Sequence, residues 1–110
     1  MKEVICVKVK LKPNSLERVR AWACEINARR PEALETLARE SVWIESVFLD
    51  ANPLGDYLIY YMRADSLDRA TTAALESTAA IDAFHKSFKR ETWSEVQKLE
   101  LLVDLQRTSE

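Results

Sequence analysis

Residues 42–64 carry two apolar runs, VWIESVFLDA and DYLIYYMRA, on either side of Asn52-Pro53-Leu54-Gly55. This pair constrains the fold more than any other feature. Both runs are rich in β-branched and aromatic residues, and the short connection ends in the only glycine of the chain, so they read as an antiparallel hairpin. The alternation then raises a difficulty. On the first strand one face would be Trp43, Glu45, Val47 and Leu49, and the other Val42, Ile44, Ser46 and Phe48. On the second strand the choice is Tyr57, Ile59, Tyr61 and Arg63, or Leu58, Tyr60 and Met62. Either choice is apolar, and a strand pair apolar on both sides must be covered on both sides.

The rest of the chain supplies one cover. Residues 4–11, VICVKVKL, alternate as a half-buried strand, with Ile5, Val7, Val9 and Leu11 on one face and Cys6, Lys8 and Lys10 on the other. After Pro13, Asn14 with Glu17 three residues on has the spacing of a capped helix start. Leu16, Val19, Ala23, Ile26, Ala33 and Leu37 continue at helical spacing to about residue 40, with a break expected near Arg30 because Pro31 removes a backbone donor. Asp65 is placed to cap a second helix, and Ile81, Phe84 and Phe88 mark a further helical segment. LELLVDL, residues 99–105, alternates again and is expected to be the last strand.

The order is β-α-β-β-α-β over a single domain, residues 1–110. That order predicts an α+β, ferredoxin-like fold: an antiparallel four-stranded sheet with helices on one face. Both helices are then used on one face, and the second face of the hairpin lacks a cover. A second copy of the chain, sheet to sheet, is the simplest one. A homodimer is therefore expected. Arg63 and the acids Glu100 and Asp104 lie on strands that this topology does not make neighbours, so any ion pair between them is expected to span the dimer.

Composition narrows the function. The 110 residues are 47% hydrophobic and 31% charged, which is globular rather than disordered, and the formal charge of -2 gives no basic excess for phosphate, so no nucleic-acid partner is expected. No apolar run approaches a membrane span or a signal peptide, which predicts a cytoplasmic protein without a membrane partner. Cys6 and Cys24 show no metal-ligand spacing, so no metal is expected. One glycine cannot build a phosphate loop or a nucleotide fingerprint.

VWIESVFLD, GDYLIYYMRA, HKSFKRETW and LELLVDL, in that order, resemble a family of small bacterial proteins in the ferredoxin-like, dimeric α+β barrel group. The resemblance spans nearly the whole chain. It implies two sheets wrapped into a barrel and a cleft between sheet and helices that holds a small organic molecule. Relatives in that group include antibiotic-biosynthesis monooxygenases of the quinone-forming kind, haem-degrading monooxygenases and stress-responsive barrel proteins.

Three residue sets are candidates for chemistry. His85, the only histidine, either fills a gap beside Phe84 and Phe88, or serves as a polar group of a ligand site, or ligates haem, as its position in the resembling haem enzymes implies. Trp43, Tyr61 and His85 are candidates to line a pocket for a flat molecule. Glu45 or His85 would be the base in cofactor-independent oxygenation of the kind the resemblance implies. Glu45 can serve only if strand parity turns it inward, where burial raises its pKa. No resident cofactor is expected, with haem the alternative. Lys86, Lys89 and Arg90 are expected to form a solvated helix face. The leading reading is a homodimeric small-molecule-binding or accessory protein. The alternatives are a monooxygenase-like enzyme and a purely structural dimerisation module.

Overall fold

A computed structural model describes residues 2–107. β1 (Glu3–Leu11) leads to α1 (Leu16–Ala28) and α2 (Arg30–Arg39); β2 (Val42–Asn52) and β3 (Gly55–Ala64) form the hairpin; α3 (Leu67–Glu76) and α4 (Ala80–Thr92) follow, and β4 (Trp93–Lys98) ends the sheet. The strand order is β2-β3-β1-β4, and every pairing is antiparallel. This is the ferredoxin-like arrangement, with β2 and β4 as the two edges.

Local chemistry explains the boundaries. The helical run breaks at Arg29, and Pro31 sits in the first turn of α2, where its missing N–H costs nothing. The first helix starts one residue later than the capping pattern suggests. Asn14 adopts a left-handed φ of 63°, and Ser15 takes the cap position without a side-chain hydrogen bond. At α3 the cap is Ser66, whose hydroxyl accepts from the Arg69 N–H, while Asp65 is committed to Trp43 instead. The hairpin closes where Asn52 Oδ1 accepts from the Leu54 N–H at 3.0 Å, and Gly55 follows with φ 148°.

The core fixes the strand faces that the sequence leaves open. Leu58, Tyr60, Val9, Leu11, Val19, Trp22 and Phe88 form one buried cluster, with Val47 and Leu49 packed against it; Val42, Ala64 and Ala70 form a second, joined by Met62. Val47 lies opposite Tyr60 and Glu45 opposite Met62, so Glu45, Val47 and Leu49 face the helices. Ser46, Phe48, Ile59, Tyr61 and Arg63 therefore occupy the open face. A register shift between Val42 and Ile44 resets the parity at the start of β2.

The last strand lies earlier than expected. WSEVQK follows α4 with no loop, because Trp93 is both the helix C-cap and the first residue of β4. Lys10 thus faces Glu95, and Lys8 faces Gln97. The alternating segment 99–105 leaves the ladder after one further bond, Leu99 N–H to Cys6 O at 2.9 Å. It then returns toward β3, where Arg63 Nη2 meets Asp104 Oδ1 at 2.6 Å. The pair expected to bridge two copies is therefore formed within one chain.

Candidate functional site

The helix-facing side of the sheet gathers the titratable groups. Ile81, Phe84, His85 and Phe88 lie at helical spacing, so α4 lays one stripe over the sheet, and Lys89 sits one turn beyond His85. Trp22 from α1 stacks on Phe88, with centroids 4.4 Å apart and planes 6° from parallel, and its other contacts reach His85 at 5.5 Å and Tyr60 at 6.5 Å.

His85 has a defined role in this stack. The Trp22 indole N–H donates to His85 Nδ1 at 3.2 Å. An indole nitrogen can only donate, so Nδ1 is the acceptor and the imidazole proton resides on Nε2. Burial pushes the His85 pKa down to about 4, and the charge of Lys89 adds to this while Asp82 partly opposes it. The ring is therefore neutral near pH 7. This arrangement does not fit axial haem ligation, because the nitrogen that iron would need carries the proton and the other is already engaged.

Around His85 stand groups with unmet needs. The Tyr60 hydroxyl and the Trp93 indole N–H are buried without hydrogen-bond partners. They are close, with rings edge to face at 5.2 Å, and this proximity slightly favours the phenolate, but the two do not reach hydrogen-bond geometry. Burial, then the charge of Glu45, holds the Tyr60 pKa far above the usual phenol range. The Lys89 ammonium lies 4.8 Å from the Trp93 ring centroid. Its pKa is lowered, first by burial, so it is not the solvated helix face that its basic neighbours suggest. Glu45 stands at the edge of this cluster. Its residue surface is open to solvent, yet protein crowds its carboxyl. Accessibility decides what can reach it. Crowding decides the direction of its pKa, which is upward, with Lys89 opposing and Asp82 reinforcing the shift.

Glu40 extends the cluster outward. Burial, with the charges of Asp82 and Glu45, raises its pKa to about 7. It also lines a depression of about 360 Å³ formed with Arg39, Ala73, Glu76, Ser77, Thr78 and Ala79, and a neighbouring one of about 380 Å³ toward Asp68 and Arg69. Both are open and touch the buried cluster only through Glu40. The unpartnered polar atoms, rather than these depressions, define the site.

The sequence candidates divide between the two faces. His85 and Glu45 share the helix side. Tyr61 lies on the open face, where its hydroxyl accepts from Arg63 Nε at 3.1 Å. Trp43 is 61% exposed at the start of β2, its indole N–H donating to Asp65 Oδ1 at 2.8 Å. The three residues proposed as one pocket lining are thus not brought together. Tyr60, Lys89, Trp22 and Trp93 hold the positions around His85 instead. The i, i+4 spacing of His85 and Lys89 was a legible signal for the second of these. Cys6 and Cys24 are free thiols, and no group of metal-ligating side chains occurs among the described residues. No helix among them is long and apolar enough to cross a membrane.

The βαββαβ order and the antiparallel β2-β3-β1-β4 sheet place the chain in the ferredoxin-like α+β class. The chain belongs to the DUF6176 family, a family of unknown function, whose model matches residues 2–110. Solved structures agree on the fold. An L-rhamnose mutarotase from Formosa agariphila superposes with a TM-score of 0.65 at 14% identity, covering 94% of this chain and 99% of that one. A dimeric protein of unknown function and ferredoxin-like fold from Bacteroides fragilis gives 0.54 at 17% identity, covering 89% and 92%. A candidate antibiotic biosynthesis monooxygenase from Nitrosomonas europaea gives 0.56 at 12% identity, covering 89% and 86%. No functionally curated protein matches the sequence.

Proposed function

We propose that this protein binds a small organic molecule in the cleft between α4 and the helix-facing side of β2 and β3, and that it does so as a homodimer. One observation carries the ligand reading. Two buried donors, Tyr60 Oη and Trp93 Nε1, lack partners beside Glu45, His85 and Lys89. Orphaned buried polar atoms cost about 1–3 kcal/mol each unless something satisfies them. A ligand carrying hydroxyl or carbonyl oxygens would do so. Its apolar parts would meet the partly exposed rings of Phe84 and Trp93. Two structural neighbours bear the names of enzymes that act on small molecules, which is in keeping with this reading.

The dimer rests on the open face of the sheet. Phe48 and Ile44 are 62% and 44% exposed there, beside Ile59 and Tyr61. A neighbour of the same fold is described as dimeric. The free thiols suit a reducing compartment such as the cytoplasm.

A second reading is catalytic, and Glu45 favours it. Parity turns this carboxylate to the helix side, and its raised pKa brings it nearer to that of a working acid or base. With Tyr60 held protonated, the pair could move a proton at a bound oxygen or at an acidic C–H.

The three tryptophans give a direct test. The indole N–H signals of Trp22 and Trp93 report the cleft, and that of Trp43 reports the rim. Nitrogen–proton spectra would be recorded during titration with small sugars and with phenolic acids. The expected result is saturable movement of Trp93 and Trp22 with Trp43 still. Movement of Trp43 alone, or of none across both series, would refute the cleft. For the catalytic reading, Glu45→Gln should preserve that binding while abolishing any turnover found.

A further inference from the structure

We propose that the ligand of this cluster is a small organic carboxylate, held by its charged end through Tyr60, Trp93, His85 and Lys89. The inference rests on the ligand reading above and names the functional group and the charge that the site selects.

The four residues gather around one ring. The Tyr60 centroid lies 5.2 Å from that of Trp93 and 6.3 Å from that of His85, and Lys89 Nζ lies 4.8 Å from the Trp93 centroid. Three elements supply them: β3 carries Tyr60, α4 carries His85 and Lys89, and β4 opens with Trp93.

Each of the four arrives as a donor. The Trp93 indole N–H can do nothing else, and it is buried without a partner. Tyr60 is 8% exposed, its hydroxyl is equally unpartnered, and burial keeps that hydroxyl protonated. His85 commits Nδ1 to the Trp22 indole, which leaves only its Nε2–H to offer. Lys89 brings three N–H groups and a positive charge, and it joins no ion pair among the described residues.

Acceptors are what the cluster lacks. His85 Nδ1 is taken, Asp82 accepts from the Ser77 hydroxyl, and Glu45 reaches neither Tyr60 Oη nor Trp93 Nε1. An alcohol brings a donor of its own and would add one more group in need of an acceptor. A carboxylate only accepts, and its two oxygens offer about four lone-pair sites. Hydrogen bonds to an ionised acceptor are also about twice as strong as neutral ones. Lys89 supplies the opposite charge from a half-buried position, where screening is weaker than at the open surface. The carbon body would lie on the partly exposed rings of Phe84 and Trp93. Glu45 and Asp82 act against an anion here. For Glu45, burial and the charge of Asp82 favour the neutral form, while Lys89 favours the charged one. That opposition gives the proposal a signature: removing the Glu45 charge should improve binding.

The test compares probes of similar shape and different charge on the full chain. Benzoate, benzamide and benzyl alcohol would be titrated at about pH 8, with para-nitrophenolate as a second anion. The Trp93 and Trp22 indole N–H signals would report affinity. Benzoate should bind at least about 10-fold more tightly than either neutral probe, the worth of one hydrogen bond to a charged group. Lys89→Met should erase that preference, and Glu45→Gln should tighten benzoate while leaving benzamide unchanged. If Lys89→Met does not fold, Tyr60→Phe serves in its place. It removes a buried orphan and should still weaken benzoate about 10-fold. Equal affinity for benzoate and benzamide, a preference that survives these variants, or tighter binding of para-nitrophenolate would overturn the carboxylate and leave the ligand site standing. So would movement of Trp93 with sugars alone. No movement with any probe at about 10 mM would overturn both, and the cluster would then hold water only.

Discussion

His85 makes folding stability depend on pH in a calculable way. Its pKa falls from about 6.5 in the unfolded chain to about 4 in the folded protein, chiefly through burial. The sign follows from proton binding. Between those values the unfolded chain holds a proton that the folded protein refuses, so stability is full above pH 6.5 and is lost as pH falls toward 4. The linkage relation gives a loss of about 0.8 kcal/mol at pH 6, about 2 at pH 5 and about 3 at pH 4. Glu40, with its pKa raised to about 7, acts in the opposite sense over much of the same range, so the raw stability of the wild type would hide the effect. Comparison with His85→Gln removes it. Glutamine does not titrate, and its carbonyl can still accept from the Trp22 indole. Urea unfolding of both proteins at pH 7.5, 6 and 5 should show the wild type losing about 2 kcal/mol relative to the variant by pH 5. In folded protein, the imidazole nitrogen signals should titrate near 4. A flat difference, or an imidazole that titrates at its ordinary value, would refute the argument that this ring is buried neutral.

Three further outcomes follow from the packing. Glu40→Gln should stabilise the protein above pH 7, by about 1 kcal/mol once solvent screening is allowed for. The gain should vanish below about pH 4.5, because a raised carboxyl pKa penalises only the charged form; denaturant midpoints at pH 8 and 4 would show it. Phe88→Ala, which empties a fully buried ring site against Trp22, should cost about 3–5 kcal/mol in the same assay. Gly55→Ala should cost about 1–3 kcal/mol through backbone strain alone, since a methyl group there meets nothing closer than 3.7 Å; a lowered thermal midpoint with an unchanged fold would confirm it.

Much of the fold was legible from periodicity. Strand β1, the hairpin and the break before Pro31 each follow from a local rule that nothing in the tertiary structure opposes. The last strand was misplaced for an instructive reason. LELLVDL has a cleaner alternation than WSEVQK, yet the β1–β4 ladder is built on the latter, because α4 delivers the chain to the sheet at Trp93 and alternation alone does not fix where a strand begins. The site was half legible. His85 and Glu45 stand out by residue type, but with both hairpin faces apolar the sequence does not fix parity, and so does not show that Tyr60 rather than Tyr61 is the buried one. Lys89 looked like one charge among several. Only the tertiary packing of α4 brings its ammonium over the Trp93 ring.

The direct passage from α4 into β4 makes the molecule unequally tolerant of changes in length. Thr92 closes the helix by donating its hydroxyl to Phe88 O at 2.8 Å, and its carbonyl accepts from the Lys12 N–H, also at 2.8 Å, with Trp93 already in the strand. One residue inserted there has no loop to absorb it. It would turn Ser94 toward the helices and Trp93 toward the open face, or else rotate His85 and Lys89 about the helix axis by more than a quarter turn. The same insertion beside Leu54, 96% exposed at the hairpin tip, would only enlarge a turn. Insertions and deletions among related sequences should therefore gather at that tip and spare the 92–93 junction, whose spacing holds α4 in register with the sheet.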